Sequence, residues 1–467
     1  MTATDWKLIL LAVLAVAGLV LWVTRLKINP FISLALASLV VGAGTILMGI
    51  PTVANAAKPG EKSVILLTAV VKAFGEGMGA TLGGIAAVIG LGTMLGKLLA
   101  ESGGAEVLSK SFSRFFGPKR VIWCVMALAL TVGLTTWFAV GLVLLLPILL
   151  TLTRETKQPF LALAIPLLSC LSVMHGVMPP HPGPVVAVDA LKANNGYVLL
   201  WGFVIGIPTA AIAGPIFARW AVKHVTAEPP DIPVKEGRLR PGLSLPGFGL
   251  TLFSILLPVL LMLLATVAEL TLEKGSPVRE ALGFVGNATI ALLISVLFAS
   301  WSLGTRCGYA KSEILKFTEQ SIAAVGMTLL VVGGGGGFAR VLKDCGVADA
   351  LAAIAKGAHL SPLLYGWLMA AFVRVATGSA TVSITTAANL LAPALVGDTT
   401  TNRELIVVAI GCGSLFLSHL NDGGFWIVKD CLGLSVGQTL KTWTRTETIV
   451  GIVGMLISYV ISLFVHG

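Results

Sequence analysis

"HGVMPPHPGP", residues 175–184, lies between "AIPLLSCLSVM" and "VVAV", two stretches apolar enough to enter lipid. Two histidines, four prolines and two glycines share these ten positions. A proline cluster ends a helix, and a broken helix in hydrocarbon leaves amides and carbonyls without partners. Such backbone is tolerated at membrane depth only where it is buried in protein or lines a water-filled cavity. If the surrounding chain spans a membrane, this stretch marks a cavity inside it.

The composition supports a membrane. Of 467 residues, 56% are apolar and 12% charged, against roughly 25% charged in soluble domains. Uncharged runs recur along the chain, among them 28–57, 121–153, 158–188, 193–218, 241–268 and 281–305. Most reach the roughly 20 residues that a spanning helix needs. The fold class expected is an all-α polytopic membrane protein with about ten to fourteen transmembrane or re-entrant segments. The first run, "LILLAVLAVAGLVLWV", has no small-residue cleavage site after it and reads as a retained helix. A net charge of +10 does not imply nucleic acid, because the basic residues sit in loops beside apolar segments. The six cysteines form no C-x-x-C pair, so neither a disulfide framework nor a thiolate metal site is indicated.

Outward from the proline cluster, the chain divides in two. Residues 223–246, "KHVTAEPPDIPVKEGRLRPGLSLP", form the long polar stretch and read as a basic cytoplasmic linker between repeats 1–222 and 247–467. "LGKLLAESGGAEVL" (95–108) matches "FARVLKDCGVADAL" (338–351) at an offset of 243. At that offset "HGVMPPHPG" falls on "SHLNDGGFW". The loop 110–120 carries four Lys and Arg while its counterpart 353–362 carries one. Basic residues favour the cytoplasmic side, so the counterparts lie on opposite sides and the repeats are inverted. Inverted repeats with broken helices characterise secondary transporters, whose substrates bind near the midplane.

The run 121–153 would be about 50 Å long as one helix, against a hydrocarbon core of about 30 Å. "GLTTWFAVG" (133–141) is its expected break, and "VRVATGSATVS" (373–383) is the counterpart in the second half. Arg374 is the sole charge between about 357 and 397. An intramembrane arginine faces a cavity or a partner. It is either a structural ion pair with an acid such as Asp422 or a clamp for a substrate carboxylate. Gly378, Ser379 and Thr381 are open to close helix packing or to ligand contact. In "LFLSHLNDGGFWIVKD" (415–430), Asn421 and Asp422 precede two glycines and suit an unwound turn. Asp422, His175, His181 and His419 are the candidate proton carriers, histidine titrating near physiological pH. For each histidine a structural hydrogen bond is the competing reading. "GGGGG" (333–337) lacks the Gly-Lys-Ser/Thr of a phosphate loop and reads as packed helix. His175 and His181 lack further ligands, so no metal is expected.

"MLGKLLAESGGAEVL", "LSVMHGVMPPHPGP", "ATGSATVS" and "SHLNDGGFW", in this order and spread over the whole chain, resemble the gluconate permease family of bacterial proton-coupled transporters. The resemblance implies import of gluconate or a related sugar acid with protons across the inner membrane, through paired hairpins and an elevator-like motion. "PPHPGP" and Arg374 before "GSATV" are similar to the sugar-acid branch. The chain departs from the pattern at "WFAVG", where Ala139 replaces an acid typical of the family. The substrate site expected comprises Arg374, Gly378, Ser379, Thr381, Asn421, His181 and Gly183, with Asp422, His175 and His419 coupling protons. The partners expected are a sugar acid, protons and the bilayer, with a homodimer allowed and no cofactor. A carrier of another small carboxylate, such as a D-amino acid, and a membrane enzyme built on the histidines are the alternatives.

Overall fold

Twenty helices are given for residues 3–50, 63–230, 243–347, 350, 361–396, 401–419 and 422–465, the residues that the computed structural model describes; there is no strand among them. The first four are α1 (Ala3–Thr24), α2 (Pro30–Leu47), α3 (Ser63–Glu101) and α4 (Gly104–Phe116). Then come α5 (Val121–Gly133), α6 (Phe138–Thr156), α7 (Phe160–Val177), α8 (Pro182–Leu191), α9 (Asn195–Ala211) and α10 (Phe217–His224). The second half opens with α11 (Phe248–Thr271), α12 (Pro277–Val285), α13 (Ala288–Ala299) and α14 (Lys311–Asp344). It continues through α15 (Pro362–Thr377), α16 (Ala380–Leu391), α17 (Arg403–Gly413), α18 (Gly423–Cys431), α19 (Val436–Thr439) and α20 (Arg445–Ser462). Within the expected linker, 231–242 lies outside the described residues.

Seven stretches of helix among the described residues are long and apolar enough to cross a membrane. Two more pass as bent pairs, within α3 (45°) and within α6 (44°), and three further apolar helices are shorter. This is in keeping with the ten to fourteen spanning or partial segments expected. The bend in α6 falls at position 147, a proline, whose missing amide removes a rung of the helix ladder. α7 is apolar on every face and almost wholly buried, as a central helix surrounded by others must be.

The offset of 243 recurs at the level of elements. It carries α5, α6, α7 and α8 onto α15, α16, α17 and α18, with first residues agreeing to within two positions. Gly103 (φ 74°) and Gly346 (φ 79°) both follow a long helix in the left-handed conformation that favours glycine. The ion pairs Lys97–Glu101 (2.6 Å) and Arg340–Asp344 (2.7 Å) also correspond. These recurrences are consistent with the duplication read from the sequence.

The glycine run is a packing seam. A Cβ on Gly336 would stand 1.9 Å from Thr81 Oγ1, and one on Gly337 2.7 Å from the backbone oxygen of Phe74. Only the bare backbone of α14 can approach α3 so closely.

Candidate substrate-binding site

Each expected break is present. α5 ends at Gly133 and α6 restarts at Phe138; α7 ends at Val177 and α8 restarts at Pro182. Between the latter pair the Pro179–Pro180 peptide is cis. In the second half Gly378 (φ 71°) closes α15, and Ser379 caps α16 by accepting from the Val382 amide at 3.3 Å. Asp422 caps α18, accepting from the Gly424 amide at 2.8 Å.

These ends surround a cavity of about 300 Å³. Trp137, Phe138 and Ala139 bring the start of α6, Ser172 and His175 one side of α7, and Arg374 the end of α15. Gly378, Ser379, Ala380 and Thr381 bring the start of α16, Asp422–Gly424 and Ile427 the start of α18. Leu415, Trp443 and Glu447 complete the wall. Three helix N-termini thus open on one small volume. Unpaired amides and the helix dipole make such ends favourable for an anion.

The charges are arranged around Arg374, which is 4% exposed. Its Nη1 donates to the Gly378 carbonyl at 2.6 Å and its Nη2 to Asp422 Oδ2, while its buried Nε has no hydrogen-bond partner. Asp422 Oδ2 also accepts from Ser418 Oγ, which in turn accepts from Trp443 Nε1 at 2.7 Å. The ion pair weighed from the sequence is therefore formed, and it forms in the cavity wall, where Arg374 retains one unused donor.

Of the other expected site residues, Gly378, Ser379, Thr381 and His175 line the cavity. His175 Nδ1 is buried without a partner, and the ring centroid lies 5.3 Å from that of His181. His181 Nε2 meets the Gly133 carbonyl at 2.6 Å, tying the α7–α8 break to the end of α5. Gly183 sits in the first turn of α8, where a Cβ would meet Ile384 Cδ1 of α16 at 2.4 Å. His419 Nε2 meets the Val375 carbonyl at 3.1 Å. Neither His181, Gly183 nor His419 is among the cavity-lining residues. Asn421 lies outside the described residues. Among the described residues no three His, Cys, Asp or Glu side chains converge as metal ligands would.

Glu447 escaped the sequence reading. It is 1% exposed, with the Ser172 hydroxyl as the hydrogen-bonding side chain beside its carboxylate. In the sequence it follows Lys441 and Arg445 and looks like one of several charges at a membrane surface. A signal was there nonetheless: "TWTRTETIVGIVG" places Trp443 and Glu447 four apart, on one helix face.

Apolar helices of spanning length, broken in pairs around a buried cavity with an arginine at its wall, are the architecture of a secondary transporter rather than an enzyme. The chain belongs to the GntP family of permeases, whose family model matches residues 6–464. It is therefore a multi-pass membrane transporter, of a family seated in the bacterial inner membrane. It is 39% identical to a gluconate permease of Pseudomonas aeruginosa, over 98% of both chains. It is 38% identical to the Gnt-II system L-idonate transporter of Escherichia coli, over 97% of this chain and 98% of the relative. The fold is also similar to that of MtrF of Neisseria gonorrhoeae, with a TM-score of 0.66, 14% identity and coverage of 96% and 97% of the two chains.

Proposed function

We propose that the protein imports gluconate or a closely related sugar acid together with protons. One observation carries the reading: a buried arginine with a free Nε and three helix N-termini open on one cavity of about 300 Å³. A carboxylate answers both features, by charge-assisted hydrogen bonds to the guanidinium and by the dipole of the helix ends. Ser379, Thr381 and the Gly378 backbone supply polar contacts for the hydroxyls of the chain behind the carboxylate. Asp422 holds Arg374 in place, and the proton is carried by a titratable group facing the cavity. The names of the relatives, for gluconate and for L-idonate, support a sugar acid.

Two inverted repeats, 1–222 and 247–467, joined by the basic segment 223–246, would exchange the cavity between the two sides by an elevator-like movement. The paired breaks and the recurrence of elements at an offset of 243 support this part of the reading. The test is uptake of labelled gluconate into proteoliposomes, with an inward proton gradient and with that gradient collapsed. Accumulation only with the gradient is expected. Absence of uptake and of binding by folded protein, with uptake of a D-amino acid in its place, would overturn the substrate assignment.

A further inference from the structure

We infer that Glu447 is the group that binds the transported proton, and that the anion held at Arg374 makes it do so. The inference rests on the transport reading above. Its basis is geometric: a carboxyl group that is fully buried, lines the cavity and has only the Ser172 hydroxyl beside it as a hydrogen-bonding side chain. A carboxylate taken out of water with so few donors is costly, and such a group is retained in a membrane protein where it has work to do.

The surroundings define how it would work. α20 packs on α7, α9, α15, α17 and the turns at 212–216 and 440–444. From these and from the head of α18, Arg374 and Asp422 act electrostatically on Glu447, Ser172 lies beside it, and His175 faces the same cavity. Cys170 of α7 and Cys412 of α17 are buried titratable groups on these elements, Cys412 set against Gly454 further along α20, and Tyr365 of α15 is half-buried. Tyr197 of α9 is partly buried, Lys441 is exposed, and Arg445 lies over the Trp220 ring, 4.5 Å from its centroid. A π-turn, Leu440–Thr444, precedes α20 and presents Trp443 and Glu447 to the cavity. Extra-residue turns of this kind are frequent at functional sites.

In the empty cavity the attraction of Arg374 is shared between two carboxylates, Asp422 and Glu447. Asp422 has the hydrogen bonds: Arg374 Nη2, Ser418 Oγ and the Gly424 amide. A substrate carboxylate arriving beside Arg374 in the cavity takes up what attraction remains. A second negative charge at Glu447 is then disfavoured, and the carboxylate accepts a proton from the open side, forming one O–H bond. Reciprocally, protonation of Glu447 favours the anion, because linkage between two bound species is symmetric. The empty cavity holds one cation and two anions; loaded, it holds the same, with the substrate anion replacing the charge lost at Glu447. The moving unit carries equal charge in both directions. When the cavity opens to the other side, loss of the substrate returns Arg374 to Glu447, and the O–H bond breaks to release the proton to water.

The experiment compares the wild type with Glu447→Gln and Glu447→Asp in proteoliposomes, by two readouts. In the first, Glu447→Gln is expected to lose gradient-driven accumulation and substrate-linked proton uptake, while exchange of labelled for unlabelled gluconate falls no more than a few-fold. Glu447→Asp is expected to keep accumulation at a reduced rate. Gradient-driven accumulation by Glu447→Gln, or loss of its exchange together with binding, overturns the inference. The second readout needs no substrate: infrared difference spectra on a pH jump. A protonated-carboxyl band is expected in the wild type, shifted in Glu447→Asp and absent in Glu447→Gln. A band that neither moves in Glu447→Asp nor disappears overturns the inference even if the glutamine variant fails to insert. Presence of the Glu447 band in a protein that does not carry gluconate supports the proton site and overturns the substrate instead.

Discussion

Arg374 holds two groups at once, a helix-terminal carbonyl and the carboxylate of Asp422, and lines a cavity with its Nε unused. Substituting Arg374 with alanine is expected to weaken gluconate binding by about 10- to 100-fold, the value of one or two charge-assisted hydrogen bonds. Calorimetric titration of inserted protein measures this, and unchanged affinity would make Arg374 purely structural. Removing only Asp422 strands a buried cation. Asp422→Ala should cost about 3–5 kcal/mol of stability, and the double variant with Arg374→Ala should recover part of it, because the guanidinium is then no longer buried without the partner it was paired to. Thermal unfolding of the three variants in one detergent decides this. Equal loss in the single and double variants would refute it. The residue scale also shows why Arg374 and Asp422 could be picked from the sequence as a pair while the unused donor could not. A lone charge in an apolar run announces that it needs a partner, whereas which of its atoms are satisfied depends on where the partner stands.

Among elements, the contact between α3 and α14 is set by glycines. Gly336 faces Thr81, and a methyl group there would overlap the hydroxyl and crowd the Gly77 carbonyl at 2.9 Å. Gly336→Ala is expected to destabilise by about 1–3 kcal/mol, the usual cost of overpacking. Adding Thr81→Ala should restore part of this, as read by the midpoint of thermal unfolding; strict additivity of the two changes would show that the helices separate there at no cost. The breaks were legible in the sequence, since prolines and glycines act on their own backbone: Gly378 ends α15 and the 175–184 cluster divides α7 from α8. The bend near the middle of α3 was not, because no proline interrupts 63–101. The use of Gly183 is likewise a matter of contact, its missing side chain admitting Ile384 of α16 between helices nearly two hundred residues apart.

For the molecule as a whole, equal charge in the loaded and empty cavity has a consequence for energetics. Carriage of one anion with one proton moves no net charge, so accumulation of gluconate should follow an imposed pH difference and be indifferent to a potassium diffusion potential at constant pH. Proteoliposomes with valinomycin test this, and accumulation driven by the potential alone would mean that more than one proton travels.

Immersion in a membrane and the positions of the broken helices were determined by the amino-acid sequence alone. Each follows from hydropathy or from residues that restrict their own backbone, and both of these are local in sequence. The joining of Arg374 to Asp422, the tie from His181 to the Gly133 carbonyl and the burial of Glu447 in the cavity wall were decided by tertiary structure. Glu447 shows the reason most clearly. A charge two residues from Arg445 and six from Lys441 reads in sequence much like its solvated neighbours, apart from the tryptophan one turn before it. Only the packing of α20 against α7 and α15 buries it and leaves a carboxyl group in the wall of the cavity.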